Sequence, residues 1–227
     1  MTESKPAVLA RIRALPYFRA LDESTLAHLA AQTALRTVEA GEVLFLEGEA
    51  AAGMWIIVQG RVKIYKLNAS GMELVLRIMG EGDTFNDISA LDGGPNPANA
   101  AALSSLTACV LPAEPLQALS RSNHQVALAI VHALAGRVRG LIRTVEDLSM
   151  YSVNARLARF LIQQSLDPSL SGPGVTRTTI AAHLATTPQT ISVVLRELEA
   201  AGAIEFDRHR IVIVNEPLLR SIAQLWD

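Results

Sequence analysis

Between residues 127 and 148 apolar side chains return every third or fourth position without a polar break: Ala127, Val131, Leu134, Val138, Leu141, Val145 and Leu148. The 4-3-4-3-4-3 spacing is an a/d heptad seam carried for three heptads. Such a seam is an α-helix that hides a narrow stripe against another helix. Gly136 and Gly140 fall off the seam and weaken the helix only a little. A helix that merely packs on its own domain usually shows a broader stripe, and Ile130, Ala133 and Ile142 supply a second face. The pattern therefore predicts a helix over about 116–148 that pairs with a second copy through Val131, Leu134, Val138, Leu141, Val145 and Leu148, while its other face packs on its own domain.

The chain before this helix has a different grain. Nine of the fourteen glycines lie between Gly41 and Gly94, punctuating short segments such as "EVLFLEG", "MWIIVQGRVKIYKL" and "MELVLRIMGEGD". Valine, isoleucine and aromatic residues between Gly-rich turns indicate short antiparallel strands closing into a roll or barrel. A helical "DESTLAHLAAQTAL", with Asp22 or Ser24 as N-cap, comes before them, and Pro112 stops the last strand. The single cysteine, Cys109, excludes a disulfide framework and a multi-cysteine iron–sulfur or zinc site. No run is expected to reach the roughly 18 apolar residues of a membrane span, and no signal-peptide core is evident. A soluble cytoplasmic protein with no membrane partner is the expectation.

Beyond the helix come "SMYSVNARLARFLIQQSL", a loop "DPSLSGPG", two short helical patterns and the two strands of "AIEFDRHRIVIV". "PLLRSIAQLW" adds a closing helix with Pro217 in its first turn. Helix, helix, hairpin is the order of a winged helix-turn-helix. Thr176 and Thr187 are expected to cap the two short helices, and Pro188 sits where its missing N–H costs nothing. Ile180, Leu184, Ile191, Val194 and Leu195 hold the helices together, with small Ala181 at their crossing. Gln189, Thr190, Ser192, Val193 and Arg196 are left on the outward side, available to a DNA major groove. Gln suits adenine, Thr and Ser reach phosphates or bases, and Val suits a thymine methyl. Arg177 and Arg196 are expected on phosphates, with Thr178, Thr187 and Arg208 beside them.

The balance of 20 Lys+Arg against 22 Asp+Glu gives a net charge of −2 and no global pull on polyanions. Binding must come from a local surface. Thr176–Arg196 supplies one, with two arginines and no acid. The turn between the helices usually wants Gly at positive φ, and here it holds Ala185.

Taken together, "EAGEVLFLEGEAAAGMWIIVQGRVKIYKL", "GEGDTFNDISALDGGP", the long helix and "TRTTIAAHLATTPQTISVVLRELEAAGAI" resemble the Crp–Fnr transcription regulators over nearly the whole chain. The resemblance implies an α+β chain with an N-terminal jelly-roll-like β-roll sensor and long dimer helix over 1–149, and a C-terminal winged helix-turn-helix over 150–227. It implies a homodimer on a palindromic double-stranded operator, acting on RNA polymerase. No enzyme is expected, because the histidines, Cys109 and the carboxylates show no triad or metal-ligand spacing. The effector pocket it implies comprises Phe85, Asn86, Asp87, Asn96, Pro97, Leu141 and Ile142.

This chain departs from the family's cyclic-AMP-binding pattern there. Phe85-Asn86-Asp87 stands where those members read F-G-E, and Asn96 and Pro97 stand where an Arg-Ser pair would sit. No nearby cation in sequence neutralises a cyclic phosphate, and burying that anion unpaired is costly. Leu141 and Ile142 replace polar adenine contacts. The cofactor stays unknown: cyclic AMP is disfavoured, a cluster on Cys109 alone is excluded, and haem on His28, His124 or His132 is an open alternative. A haem gas sensor and a cyclic-nucleotide-responsive regulator are the rival readings. The recognition helix departs too, with Gln189 and Val193 where many members place Glu and Arg, and Pro188 in place of a third contact. The usual half-sites, TGTGA or TTGAT, do not carry over.

Overall fold

The computed structural model describes residues 5–207 and 210–225. Strand β3 (Gly53–Gln59) organises the N-terminal part, buried at every position up to Val58. Successive strand residues point to opposite faces. Met54, Ile56 and Val58 accordingly enter one apolar cluster, and Trp55 and Ile57 another. β8 (Leu106–Pro112) divides in the same way, with Leu106, Ala108 and Val110 on the Trp55 side and Cys109 and Leu111 on the other. A strand apolar on both faces must be covered on both.

The inner cover is the roll itself. One sheet runs β1 (Ala34–Val38), β8, β3 and β6 (Thr84–Phe85), and the other β2 (Val43–Phe45), β7 (Asn99–Ala102), β4 (Val62–Leu67) and β5 (Glu73–Met79). Trp55 lies opposite both Val110 and Phe85 in register. Between the sheets Phe45 joins Trp55 and Phe85 in an aromatic cluster with centroids 5.7–6.3 Å apart. Gly60 makes the turn from β3 to β4 at φ +96°, where a Cβ would lie 2.3 Å from the carbonyl oxygen of Ser105. No other residue fits that turn.

The outer cover is helical: α1 (Lys5–Ala14), a 3-10 turn at Pro16–Phe18, α2 (Glu23–Gln32), α4 (Ala113–Ser122) and the start of α5 (His124–Met150). Ile12, Phe18, Leu26, Leu29, Leu116, Val126 and Ile130 pack there on Met54, Ile56 and Leu111. Asp22 is the cap of α2, accepting the Thr25 N–H at 2.9 Å and the Ser24 hydroxyl at 2.7 Å. Those hydrogen bonds hold its carboxyl well below the usual range.

The single helix expected over 116–148 is broken at Asn123. That residue ends α4, and its Oδ1 accepts the backbone N–H groups of Gln125 (3.0 Å) and Val126 (3.2 Å) to start α5. An Asn offers the backbone this alternative to continuing a helix. By length and composition α5 is apolar enough to cross a membrane, against the expectation that no run would be. On its packing face Val126 and Ile130 are buried, while Ala133 and the seam residue Leu134 are partly covered. Ile142, expected on that face, is instead exposed.

The chain falls into two compact units. The hairpin segment Tyr65–Ile78 groups with the chain from Ile142 onward. This second unit holds α6 (Val153–Leu166), α7 (Arg177–His183), α8 (Pro188–Ala200), β9 (Ile204–Phe206), β10 (Ile211–Ile213) and α9 (Glu216–Ile222). Leu157, Phe160, Leu161, Ile180, Ile191, Leu195, Leu198 and Leu219 are buried within it. The His183 ring lies 5.6 Å from that of Phe160, and its Nδ1 is 3.0 Å from the Val75 carbonyl oxygen of β5. Burial pushes this imidazole down and pushes the nearby Asp147 carboxyl up. Arg159 pairs with Asp147 at 3.2 Å, donates to the Ala223 carbonyl at 2.8 Å and lies over the Tyr151 ring.

Candidate DNA interface and effector pocket

The two short helices start where the threonines direct. Thr176 Oγ1 accepts the Thr179 N–H at 3.3 Å, and Thr187 Oγ1 accepts that of Thr190 at 3.2 Å, with Pro188 at the first position of α8. The turn between them bends at Ala185, whose φ is +50°. A β-carbon in this left-handed region costs roughly 1–2 kcal/mol relative to Gly. Ile180, Ala181, Leu184, Ile191, Val194 and Leu195 are all buried, as their spacing required.

The outward residues of α8 differ in how free they are. Gln189 is exposed and, among the described residues, has no hydrogen-bonded partner. Val193 is 46% exposed one turn later. The Ser192 hydroxyl donates back to the Pro188 carbonyl at 3.0 Å, and Thr190 shares a hydrogen bond with Thr187 at 2.9 Å. Arg196 is exposed and donates from Nε to the Ser192 carbonyl at 3.1 Å. Thr178 is exposed on α7. Arg177 is turned to the hairpin, where Nη2 donates to the Asp207 carbonyl at 3.1 Å. Arg208 lies outside the described residues.

α5 carries the other candidate surface. Val131, Val138, Leu141 and Val145 are 58%, 55%, 56% and 63% exposed, a line of apolar groups without cover. Leu148 is half-buried. Apolar side chains aligned in this way mark an interaction site.

Several residues of the expected effector pocket bond within the chain. Phe85 belongs to the aromatic cluster inside the roll. Asn86, in a left-handed conformation at φ 58°, donates from Nδ2 to the Asn96 Oδ1 at 3.0 Å and to the Gly53 carbonyl at 3.4 Å. Asn96 is buried and donates in turn to the Leu46 carbonyl at 3.2 Å. Asp87, at the start of α3 (Asp87–Asp92), is 1% exposed. Its Oδ1 pairs with Arg137 of α5, and its Oδ2 accepts the Tyr17 hydroxyl at 2.7 Å. Burial first, and then the Asp87 carboxylate, push the Tyr17 phenol up to about 12, so it remains a donor. Arg137 also donates to the Thr84 carbonyl at 3.3 Å. Pro97, Leu141 and Ile142 are exposed and join none of this network.

A cleft of about 430 Å³ lies nearby, lined by Gly48, Ala50, Ser89, Gly93, Pro95 and others, none of them from the expected seven. Sequence reasoning missed Tyr17 and Arg137 because it looked for a cation close to the cassette in sequence, and Arg137 is 50 residues away from Asp87. Among the described residues no group of three or more His, Cys, Asp or Glu side chains could hold a metal.

Comparison with known proteins fits both halves of this geometry. Residues 35–123 match the family model of the cyclic nucleotide-binding domain, and residues 155–222 that of the Crp-like helix-turn-helix domain. The chain is 26% identical over 209 residues to the CRP-like cAMP-activated global transcriptional regulator of Mycobacterium tuberculosis, covering 89% of this chain and 93% of the relative. It is likewise 26% identical over 195 residues to the fumarate nitrate reduction regulatory protein of Klebsiella oxytoca, covering 83% and 78%. The solved structure of FixK2 from Bradyrhizobium japonicum superposes with a TM-score of 0.74 at 24% identity, covering 84% of this chain and 96% of that one. At that identity the likeness to FixK2 is one of fold. The two relatives are regulators and not enzymes.

Proposed function

Because this chain belongs to the Crp–Fnr family of transcription regulators, we propose that it acts in the cytoplasm as a homodimer on a palindromic promoter site, gated by an effector other than cyclic AMP. The observation that carries this reading is the uncovered line Val131, Val138, Leu141 and Val145 on α5. Water-facing valines and leucine at a/d spacing favour pairing with the same line on a second copy. Two readers joined in that way would meet two half-sites about 34 Å apart. The same pairing accounts for an apolar helix with no need of a membrane.

Gln189 and Val193 are the base-reading residues, and the exposed Arg196 holds phosphate. Bound in this way, the dimer would recruit or block RNA polymerase. The cassette speaks against cyclic AMP. Both Asp87 oxygens already have partners, and Arg137, the cation that reaches this region, is paired with Asp87. The Asn86 amide donates to the Asn96 Oδ1, and Asn96 donates onward to the Leu46 carbonyl.

Selection of bound duplexes from a random pool, with sedimentation of the free protein, tests the proposal. A two-fold symmetric motif bound by a dimer, unaffected by added cyclic AMP, is expected. A monomer at micromolar concentration, an asymmetric motif, or tightening by micromolar cyclic AMP would overturn the corresponding part.

A further inference from the structure

We propose that Arg177 is a positioning residue for the wing and not a phosphate contact. It ties the first helix of the reader to the root of the hairpin, and so sets where the hairpin meets DNA. This rests on the DNA-binding reading above.

Two contacts define the tie. Nη2 donates to the Asp207 carbonyl at 3.1 Å, and the guanidinium carbon lies 5.6 Å from the centroid of the Phe206 ring. Asp207 is the residue on which the hairpin turn closes. Its N–H donates to the Arg210 carbonyl at 2.9 Å, and its Oδ1 accepts the Arg210 N–H at 2.8 Å. Glu199 of α8 reaches the adjacent Phe206 N–H at 3.4 Å. One side chain from each reader helix therefore grips the end of β9.

Such a grip matters because the hairpin is short. β9 and β10 have three residues each, and an isolated two-stranded ribbon is marginal in water. A planar guanidinium can donate in its own plane while its face lies towards a ring, which an ammonium cannot reproduce. The bond is exposed, so its net contribution to stability is small. Its consequence is geometric. Among the described residues Arg196 has no such cross-link, and its Nε donates within its own helix.

The test compares Arg177→Ala, Arg177→Lys, Phe206→Leu and the Arg177→Ala/Phe206→Leu double variant on the selected operator across a range of salt. Lysine is expected to fail as badly as alanine, each weakening binding on the order of tenfold, the scale of one well-placed contact. Phe206→Leu should weaken binding in the same direction, and the double variant should be no weaker than Arg177→Ala alone. The dependence of log affinity on log salt should keep its wild-type slope throughout. If Arg177→Lys binds like wild type while Arg177→Ala has a slope shallower by about 0.9 for each lost contact, Arg177 holds phosphate and the wing assignment is wrong. Additive losses in the double variant would also overturn it. Wild-type protein that binds no duplex would instead overturn the DNA-binding reading itself.

Discussion

At the cassette, Asn86, Asp87 and Asn96 turn inward, and their side chains bond within the chain. On α8, Gln189 turns outward and keeps its amide unspent. Asn86 and Asp87, like Gln189, stand at the start of a helix, and no count of donors and acceptors tells them apart. What separates them is what lies behind each. Asp87 sits over the core of the roll, where an unpaired carboxylate would be expensive, so Tyr17 and Arg137 close on it. Gln189 sits on the exposed side of a helix pair whose packing residues Ile180, Ile191, Val194 and Leu195 are already buried, so nothing among the described residues claims it. Polar groups that back onto a core become structure, and those that back onto a finished core stay available to a partner.

The difference can be broken most severely at the exposed line of α5, on which the reading of α8 depends. Val138→Glu with Leu141→Glu, both on exposed sites, should yield folded monomers whose operator affinity falls by more than about a hundredfold, since linked sites gain that much from being joined. Dimers in sedimentation at unchanged affinity would end the pairing proposal. The next effect belongs to the sealed site. Arg137→Ala leaves the Asp87 carboxylate buried with Tyr17 alone, which should cost about 3 kcal/mol in denaturant unfolding. Gln189→Ala should stay within about 0.5 kcal/mol. Equal losses from the two would erase the contrast.

A third variant sharpens the contrast from the reader's side. Gln189→Glu keeps the shape but can only accept, so preference should move from adenine towards cytosine at one base pair per half-site by roughly 1–3 kcal/mol. An even loss on every operator variant would place Gln189 beside phosphate instead. The smallest effect concerns His183, where a titratable group is neither sealed by an ion pair nor open. Burial holds its folded pKa below the ordinary 6.5. Its contribution to stability is therefore present above pH 6.5 and is lost as pH falls through the depressed value. Asp147, raised by burial, titrates in the opposite sense. His183→Gln should flatten the acid side of the stability profile below pH 6.5, and an identical profile would show that the imidazole carries none of it.

The parts legible in the sequence were those governed by neighbours along the chain. The Thr176 and Thr187 caps, Pro188 in its slot and the left-handed Ala185 all depend on contacts within a few residues. The seam on α5 was legible because a period needs no partner to be visible. Asn123 stands before the seam, in the polar stretch 120–125, and the single helix expected over 116–148 overlooks that its side chain starts a new helix. Arg137 and Tyr17 were illegible because their meeting at Asp87 depends on how the roll closes. The turn of Arg177 towards Asp207 depends likewise on where the hairpin returns.

Strand β3 carries a consequence for how a chain like this can vary in length. Met54, Ile56 and Val58 belong to one core, and Trp55 and Ile57 to the other. Deleting one residue near its start would exchange the two sets, pushing the indole among the helices and the smaller chains into the aromatic cluster. Both cores would then be misfilled at once. At the edge strand β1, where no residue is fully buried, the same deletion would disturb only one partner. Insertions and deletions in descendants of this sequence should therefore collect in the turns around β1 and β2 and leave Gly53–Gln59 at a fixed length.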